Sequence, residues 1–266
     1  MPIIDAHVHV LDNYAPMAPF EDSGRHDRLL AHMDENGVEK AVMVPVVADF
    51  SPANNEECAQ LARDFPDRLA TLTNVELDQP GAPEHIVRAR EEFGAVGISW
   101  YGDIALLREP SSDPVWQALA AHGLVCHLHV RPPGYGVLLE LARQHEEVRL
   151  VINHQGLPGD LDPSDATHGG LLEAAPPPNL FVKASGFYHS TDESWDFRCP
   201  RALGFFSNLL KGLGPERLLW GSDWPPTSKN LTYRQALEIV RTFAVDLDDQ
   251  SRSQVLGENA ARLYNI

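Results

Sequence analysis

At 266 residues the chain has room for one α/β barrel or two small domains, and 43% hydrophobic content supports a large core without disulfide staples. A formal charge of −17 argues against nucleic acid and anionic membrane surfaces as partners, while leaving small-molecule substrates open. Cys58, Cys126 and Cys199 are widely spaced with no Cys-x-x-Cys pair, so they read as free thiols in a reducing, cytoplasmic compartment. The first residues enter a strand with no basic-apolar leader, and no apolar run reaches the roughly 18 residues of a membrane helix.

Residues 3–10 form a short apolar run that reads as a buried strand carrying His7 and His9. Side chains alternate along a strand, so these two imidazoles share one face. Such a pair is costly in a buried strand unless it binds a metal or a polarised substrate group. A helix over 25–36 ends at Gly37, a suitable C-cap, and the second strand covers 40–47. A helix over 55–64 stops before Pro66, and the third strand covers 69–75. The helix over 83–93 ends at Gly94, ahead of a fourth strand over 95–100. The helix over 113–122 has Pro114 in its first turn and Gly123 after its end. The fifth strand, 124–130, carries a second same-face pair, His127 and His129. A helix over 137–145 precedes the sixth strand, 149–154, which ends in Asn153 and His154. The seventh strand, 180–184, contains Lys183; after a helix over 202–210, the eighth, 217–222, runs into Asp223. Helices over 233–245 and 249–264 close the chain.

Eight strands alternating with helices predict a parallel sheet closed into a (β/α)8 TIM-type barrel, a single domain over 1–266. An open doubly wound sheet is the other candidate, but no Gly-x-Gly-x-x-Gly turn follows the first strand. In a barrel the loops after strands build the active-site face. The long irregular segments 155–179, with Pro176, Pro177 and Pro178, and 185–200 are therefore expected to be substrate walls or lids.

Polar residues at the strand ends gather at one mouth in such a barrel. Histidines with one carboxylate suit a divalent metal, zinc foremost, with a position open for water. They equally suit a metal-free hydrolytic site with a carboxylate base and imidazoles holding an oxyanion.

The motifs, taken in order, resemble the amidohydrolase superfamily, in its amidohydrolase-related (amidohydrolase 2) branch. The resemblance spans His7-Val8-His9, the fifth- and sixth-strand histidines, Asp223, and the terminal Gly257-Glu258-Asn259-Ala260-Ala261-Arg262-Leu263-Tyr264. Within that branch, Val151-Ile152-Asn153-His154-Gln155-Gly156-Leu157-Pro158, Val182-Lys183-Ala184-Ser185-Gly186 and Trp220-Gly221-Ser222-Asp223-Trp224-Pro225 are similar to pyrone-dicarboxylate lactonases and fuconolactonase-type sugar-lactone hydrolases. The resemblance implies opening of a lactone by water. Asp223 would be the catalytic base that returns its proton to the leaving oxygen, with His154 beside it. It implies that His7, His9 and Asp223, with His129 or His127, hold a divalent metal, or that the imidazoles polarise the substrate carbonyl without one. Trp100, Tyr101 and Trp224 are candidate stacking surfaces for substrate, and equally candidates for plain packing of the mouth. Arg131 and Lys183 are candidate partners for a substrate anion, and Tyr188 and His189 are further contacts from the seventh loop. Barrels of this branch often pair, so a homodimer is expected.

Two departures keep an alternative open. Lactonases of the group need no histidine on the fifth strand, and Ile98-Ser99 stands where many carry an arginine. A metal-dependent decarboxylase of an aromatic or unsaturated acid uses ligands on the first, fifth and eighth strands. The third reading is a barrel that binds a small molecule or metal without turnover.

Overall fold

The computed structural model describes residues 2–172, 176–193 and 195–266. Eight parallel strands pair in chain order: β1 (Ile4–Val8), β2 (Lys40–Met43), β3 (Leu69–Asn74), β4 (Gly97–Trp100), β5 (Val125–Leu128), β6 (Leu150–Ile152), β7 (Leu180–Ala184) and β8 (Leu218–Trp220). The ring closes between its last and first strands. Asp223 N–H donates to the His7 carbonyl (2.9 Å) and His9 N–H to the Trp224 carbonyl (2.8 Å). The expected (β/α)8 barrel is the observed architecture.

Helices lie between the strands: α1 (His26–Asn36), α2 (Asn54–Asp64), α3 (Ala82–Glu91), α4 (Asp113–His122), α5 (Tyr135–Gln144), α6 (Ala166–Gly169), α7 (Pro200–Leu213), α8 (Tyr233–Glu238), α9 (Asp249–Ser253) and α10 (Asn259–Tyr264). Gly37 and Gly123 take left-handed conformations (φ 71° and 62°) after α1 and α4, the C-cap role read from the sequence. The helix expected over 233–245 is α-helical only to Glu238 and then widens into a π-type turn, Ile239–Phe243. The last helix is likewise interrupted by a π-type turn, Gln254–Glu258. No helix among the described residues is long and apolar enough to cross a membrane.

The core has two layers. Between strands and helices pack Leu29, Met33, Ile86, Leu138, Phe206 and Trp220. Inside the barrel lie Ile4, Val42, Leu72, Val125, Val151 and Leu219, with Ala260, Leu263 and Tyr264 of α10 against them. Each such aliphatic side chain contributes about 1.5–3 kcal/mol by leaving water. Gly257 lets the terminal segment approach the start of β1, since a Cβ there would fall 2.0 Å from the Pro2 carbonyl. This plug fixes the end where the strands begin and leaves the opposite end free for chemistry.

Most strands are shorter than the apolar runs predict. β1 stops at Val8, β2 at Met43, β6 at Ile152 and β8 at Trp220. The residues beyond those points leave the ladder because they build the mouth.

Candidate active site

The strand ends open into a cavity of about 450 Å³. His9, His154 and Asp223 are its most buried lining residues. Around them stand Tyr14 after β1, Val46 and Val47 after β2, Asn74 and Glu76 at the end of β3, Tyr101 after β4 and His129 after β5. Tyr188 and His189 after β7 and Pro226 after β8 complete the lining.

Asp223 is the hub. Its Oδ1 lies 3.3 Å from His9 Nε2 and 3.5 Å from His7 Nε2. Its Oδ2 accepts a 2.6 Å hydrogen bond from the Tyr188 hydroxyl and faces His189 Nε2 (3.8 Å) and His154 Nε2 (3.9 Å). One carboxylate oxygen is thus held by a strong donor, while the other lies against the ring nitrogens of His7 and His9. Local backbone strain sets this up. Asp223 (φ 59°), His154 (φ 52°) and Gln155 (φ 57°) all take left-handed conformations, a cost of roughly 1–3 kcal/mol each for non-glycine residues. Two glycines make room: a Cβ on Gly221 would fall 2.8 Å from His7 Cβ, and one on Gly186 (φ 61°) 2.7 Å from His154 Nδ1.

Burial keeps the imidazoles neutral. It pushes His154 down to about 3 against the opposing pull of Asp223, and His129 down to about 4 with help from Arg131. Burial, then Lys183, holds His7 well below its ordinary value. Burial alone would raise the Asp223 carboxyl, but His154, His9 and the Tyr188 hydroxyl outweigh it and hold the group well below the usual carboxylate range. The site at neutral pH is therefore a carboxylate with neutral His7, His129 and His154 about it.

A layer beneath fixes the ring orientations. His9 Nδ1–H donates to the Val44 carbonyl (2.8 Å), and His154 Nδ1 meets Ser185 Oγ (3.0 Å). Lys183 Nζ lies 3.0 Å from His7 Nδ1, and burial pushes its amine down to about 7. As an ammonium Lys183 can only donate, which leaves the His7 proton on Nε2; as a free amine it can accept and bare His7 Nε2. Asp5 Oδ1 accepts the His7 N–H (3.1 Å) and the Ser222 N–H (2.9 Å), tying β1 to the end of β8.

The donor set fits a cation. With His9 Nδ1–H committed to Val44, the Nε2 lone pair points at the carboxylate oxygen of Asp223, acceptor against acceptor at 3.3 Å. His7, His9 and Asp223 offer ligand atoms all within 4.8 Å of one another, as do His154, His189 and Asp223. Two imidazoles and a carboxylate with fixed outer partners suit a divalent ion.

A family model described as Amidohydrolase matches residues 4–266. The chain belongs to the amidohydrolase family. It is 28% identical over 240 residues to the L-fucono-1,5-lactonase of Burkholderia ambifaria, covering 84% of this chain and 80% of that one. A shorter match, 29% over 151 residues, is to the D-galactarolactone isomerase of Agrobacterium fabrum and covers 55% and 51%. Among solved structures, an amidohydrolase from Burkholderia multivorans with bound zinc superposes over 100% of both chains, with TM-score 0.81 and 22% identity, a likeness of fold.

In this amidohydrolase the residues singled out by sequence divide. His7, His9, His154 and Asp223 converge, and His129 joins them at the cavity wall. His127 does not: it is fully buried and stacks on Tyr264 of the plug, with Nε2 3.3 Å from the Tyr264 hydroxyl. Tyr101 lines the cavity, but Trp100 and Trp224 do not, which corrects the expected tryptophan wall. Neighbouring strand residues face opposite ways, so Trp100 turns into the outer core, and Trp224 packs against His32 of α1. Lys183 reaches His7 rather than the cavity, and Arg131 borders an adjoining cavity behind Tyr101 and His129. The expected wall from 155–179 is also corrected: none of its described residues lines the cavity, and 173–175 lie outside the described residues. Of the segment 185–200, Tyr188 and His189 line it, and position 194 lies outside the described residues. Sequence reasoning missed Tyr14, Val46, Val47, Asn74, Glu76 and Pro226. Their only signal was a position a few residues past a strand end.

Proposed function

We propose that this chain hydrolyses a lactone. The observation that carries the reading is the asymmetric setting of Asp223 in the cavity wall, with Oδ2 held by Tyr188 and Oδ1 against the His7 and His9 imidazoles. A water on the cavity side of Asp223 gives a proton to the carboxylate while its oxygen attacks the ring carbonyl carbon. Imidazole N–H groups hold the oxyanion of the tetrahedral intermediate, each such donor being worth about 3–4 kcal/mol in the transition state. The ring C–O bond then breaks, and Asp223 returns its proton to the leaving oxygen, yielding a hydroxy acid. General base action of this kind supplies about 10²–10⁴ in rate. The similarity over most of the chain to a fuconolactonase supports a sugar lactone as substrate.

His7, His9 and Asp223 are the residues that would hold a divalent metal, zinc being the ion that suits this donor set and that a relative of the same fold carries. When bound it would supply Lewis-acid polarisation of an oxygen. The decarboxylase alternative gains no observation from the site, since no lysine or arginine among the described residues lines the cavity to seat a carboxylate. The test is a panel of sugar and simple lactones read by acid release, with and without added zinc. Turnover above the uncatalysed rate supports the reading; no turnover of any lactone, with carbon dioxide released from an aromatic acid instead, overturns it.

A further inference from the structure

The end of β3 presents the cavity with a carboxylate and a free amide oxygen, from Glu76 and Asn74. Asn74 closes the strand, and its backbone is gripped on both sides by one side chain. Asn55 Oδ1 accepts the Asn74 N–H (2.8 Å), and Asn55 Nδ2 donates to the Asn74 carbonyl (2.9 Å). The Asn74 side-chain amide donates to the Ser99 carbonyl (3.3 Å). That commits one of its two N–H groups inward and leaves Oδ1 without a hydrogen-bond partner among the described residues. Two residues on, Glu76 lines the same cavity, exposed, its carboxylate with no hydrogen bond or ion pair among the described residues. Arg131 lines the adjoining cavity, which also holds Asp103, and not this one.

A corner of bare acceptors selects by hydrogen-bond sense. Sugar hydroxyls donate, and a carboxylate takes them in charge-assisted bonds roughly twice as strong as neutral ones. A substrate carboxylate only accepts, so at this corner it meets like polarity and like charge. We infer that Asn74 and Glu76 are specificity-determining residues that select a neutral, hydroxyl-rich lactone and reject a carboxylate at the end of the substrate they face. The inference rests on the lactonase reading and deepens it by naming the substrate class.

The experiment compares two lactones of the same ring size, those of gluconic and glucaric acid, which differ in a terminal hydroxymethyl or carboxylate. The same pair is run within the other sugar series of the panel. kcat/KM is measured for the wild type, Glu76→Gln and Arg131→Gln. The wild type should favour the neutral member by about tenfold or more, the size of one charge-assisted bond lost. Glu76→Gln, exposed and isosteric, should shrink that preference about tenfold, chiefly through KM, while Arg131→Gln leaves it in place. Preference for the carboxylate-bearing member, or an unchanged ratio in Glu76→Gln with both lactones still turned over, overturns the inference alone. Absence of hydrolysis across all lactones overturns the lactonase reading and this inference with it.

Discussion

Acid should unfold this protein well above the pH at which its carboxylates titrate. His7, His129 and His154 are buried and held neutral in the fold, with His129 down to about 4 and His154 to about 3. The unfolded chain takes up a proton at each near 6.5. Below that pH the unfolded state binds more protons than the native one, so stability falls as pH falls. From pH 8 to pH 5 the loss is about 2 kcal/mol each for His129 and His154, about 4 together, and fully buried His7 and His127 act in the same direction. Two other buried groups nearly cancel. Asp5, raised to about 6, protonates first in the fold and returns about 1.4 kcal/mol, whereas Lys183, lowered to about 7, forfeits a similar amount between pH 8 and pH 7. Asp223 adds nothing in this window, because its depressed carboxyl stabilises the fold down to the ordinary carboxylate range. A loss of about 4 kcal/mol or more is a large part of the 5–15 typical of a domain. Urea unfolding of chelator-treated protein, followed by fluorescence of the five tryptophans, reads it directly. His154→Asn should reduce the drop by about 2 kcal/mol. Stability that stays level or rises from pH 8 to pH 5 would refute the neutral-imidazole picture.

Tyr188→Phe removes the 2.6 Å donor that orients Asp223 and should lower kcat/KM at neutral pH by about tenfold, the size of one hydrogen bond to a charged group; unchanged turnover would show that the hydroxyl does not hold the base. Gly221→Ala places a Cβ 2.8 Å from His7 Cβ and should cost about 1–3 kcal/mol of stability and at least about tenfold in kcat/KM. Gly136→Ala, on open helix surface, serves as its harmless control, and equal behaviour of the two would contradict the packing argument. The wild type should take up one zinc per chain by elemental analysis after dialysis, and His9→Asn should take up none; equal uptake by both would move the metal elsewhere.

Much of the fold was legible because strand burial and helix caps are local. The apolar runs, Gly37, Gly123 and the Pro-containing first turn of α4 are visible without any tertiary knowledge. Strand ends were less so. The run 149–154 looks continuous, yet the ladder ends at Ile152 because Asn153, His154 and Gln155 turn away, two of them with positive φ. The convergence of His7, His9, His154 and Asp223 followed from placing each at a strand end. The choice between His127 and His129 did not: both face inward, and depth along the strand decides that one meets Tyr264 and the other the cavity. Trp100 was misplaced because its neighbour Tyr101, not Trp100, takes the lining position. Glu76 and Tyr14 lie in loops, whose side-chain directions depend on neighbours distant in sequence.

The most direct measurement is the lactone hydrolysis rate of the wild type beside Asp223→Asn, with the fold of both checked by circular dichroism. Asn keeps the shape and the contact with Tyr188 but cannot take a proton from water. The wild type should open at least one sugar lactone, and the variant should lose about 10²-fold or more in kcat with little change in KM. Turnover retained in Asp223→Asn would contradict the role given to this carboxylate and, with it, the proposed reaction.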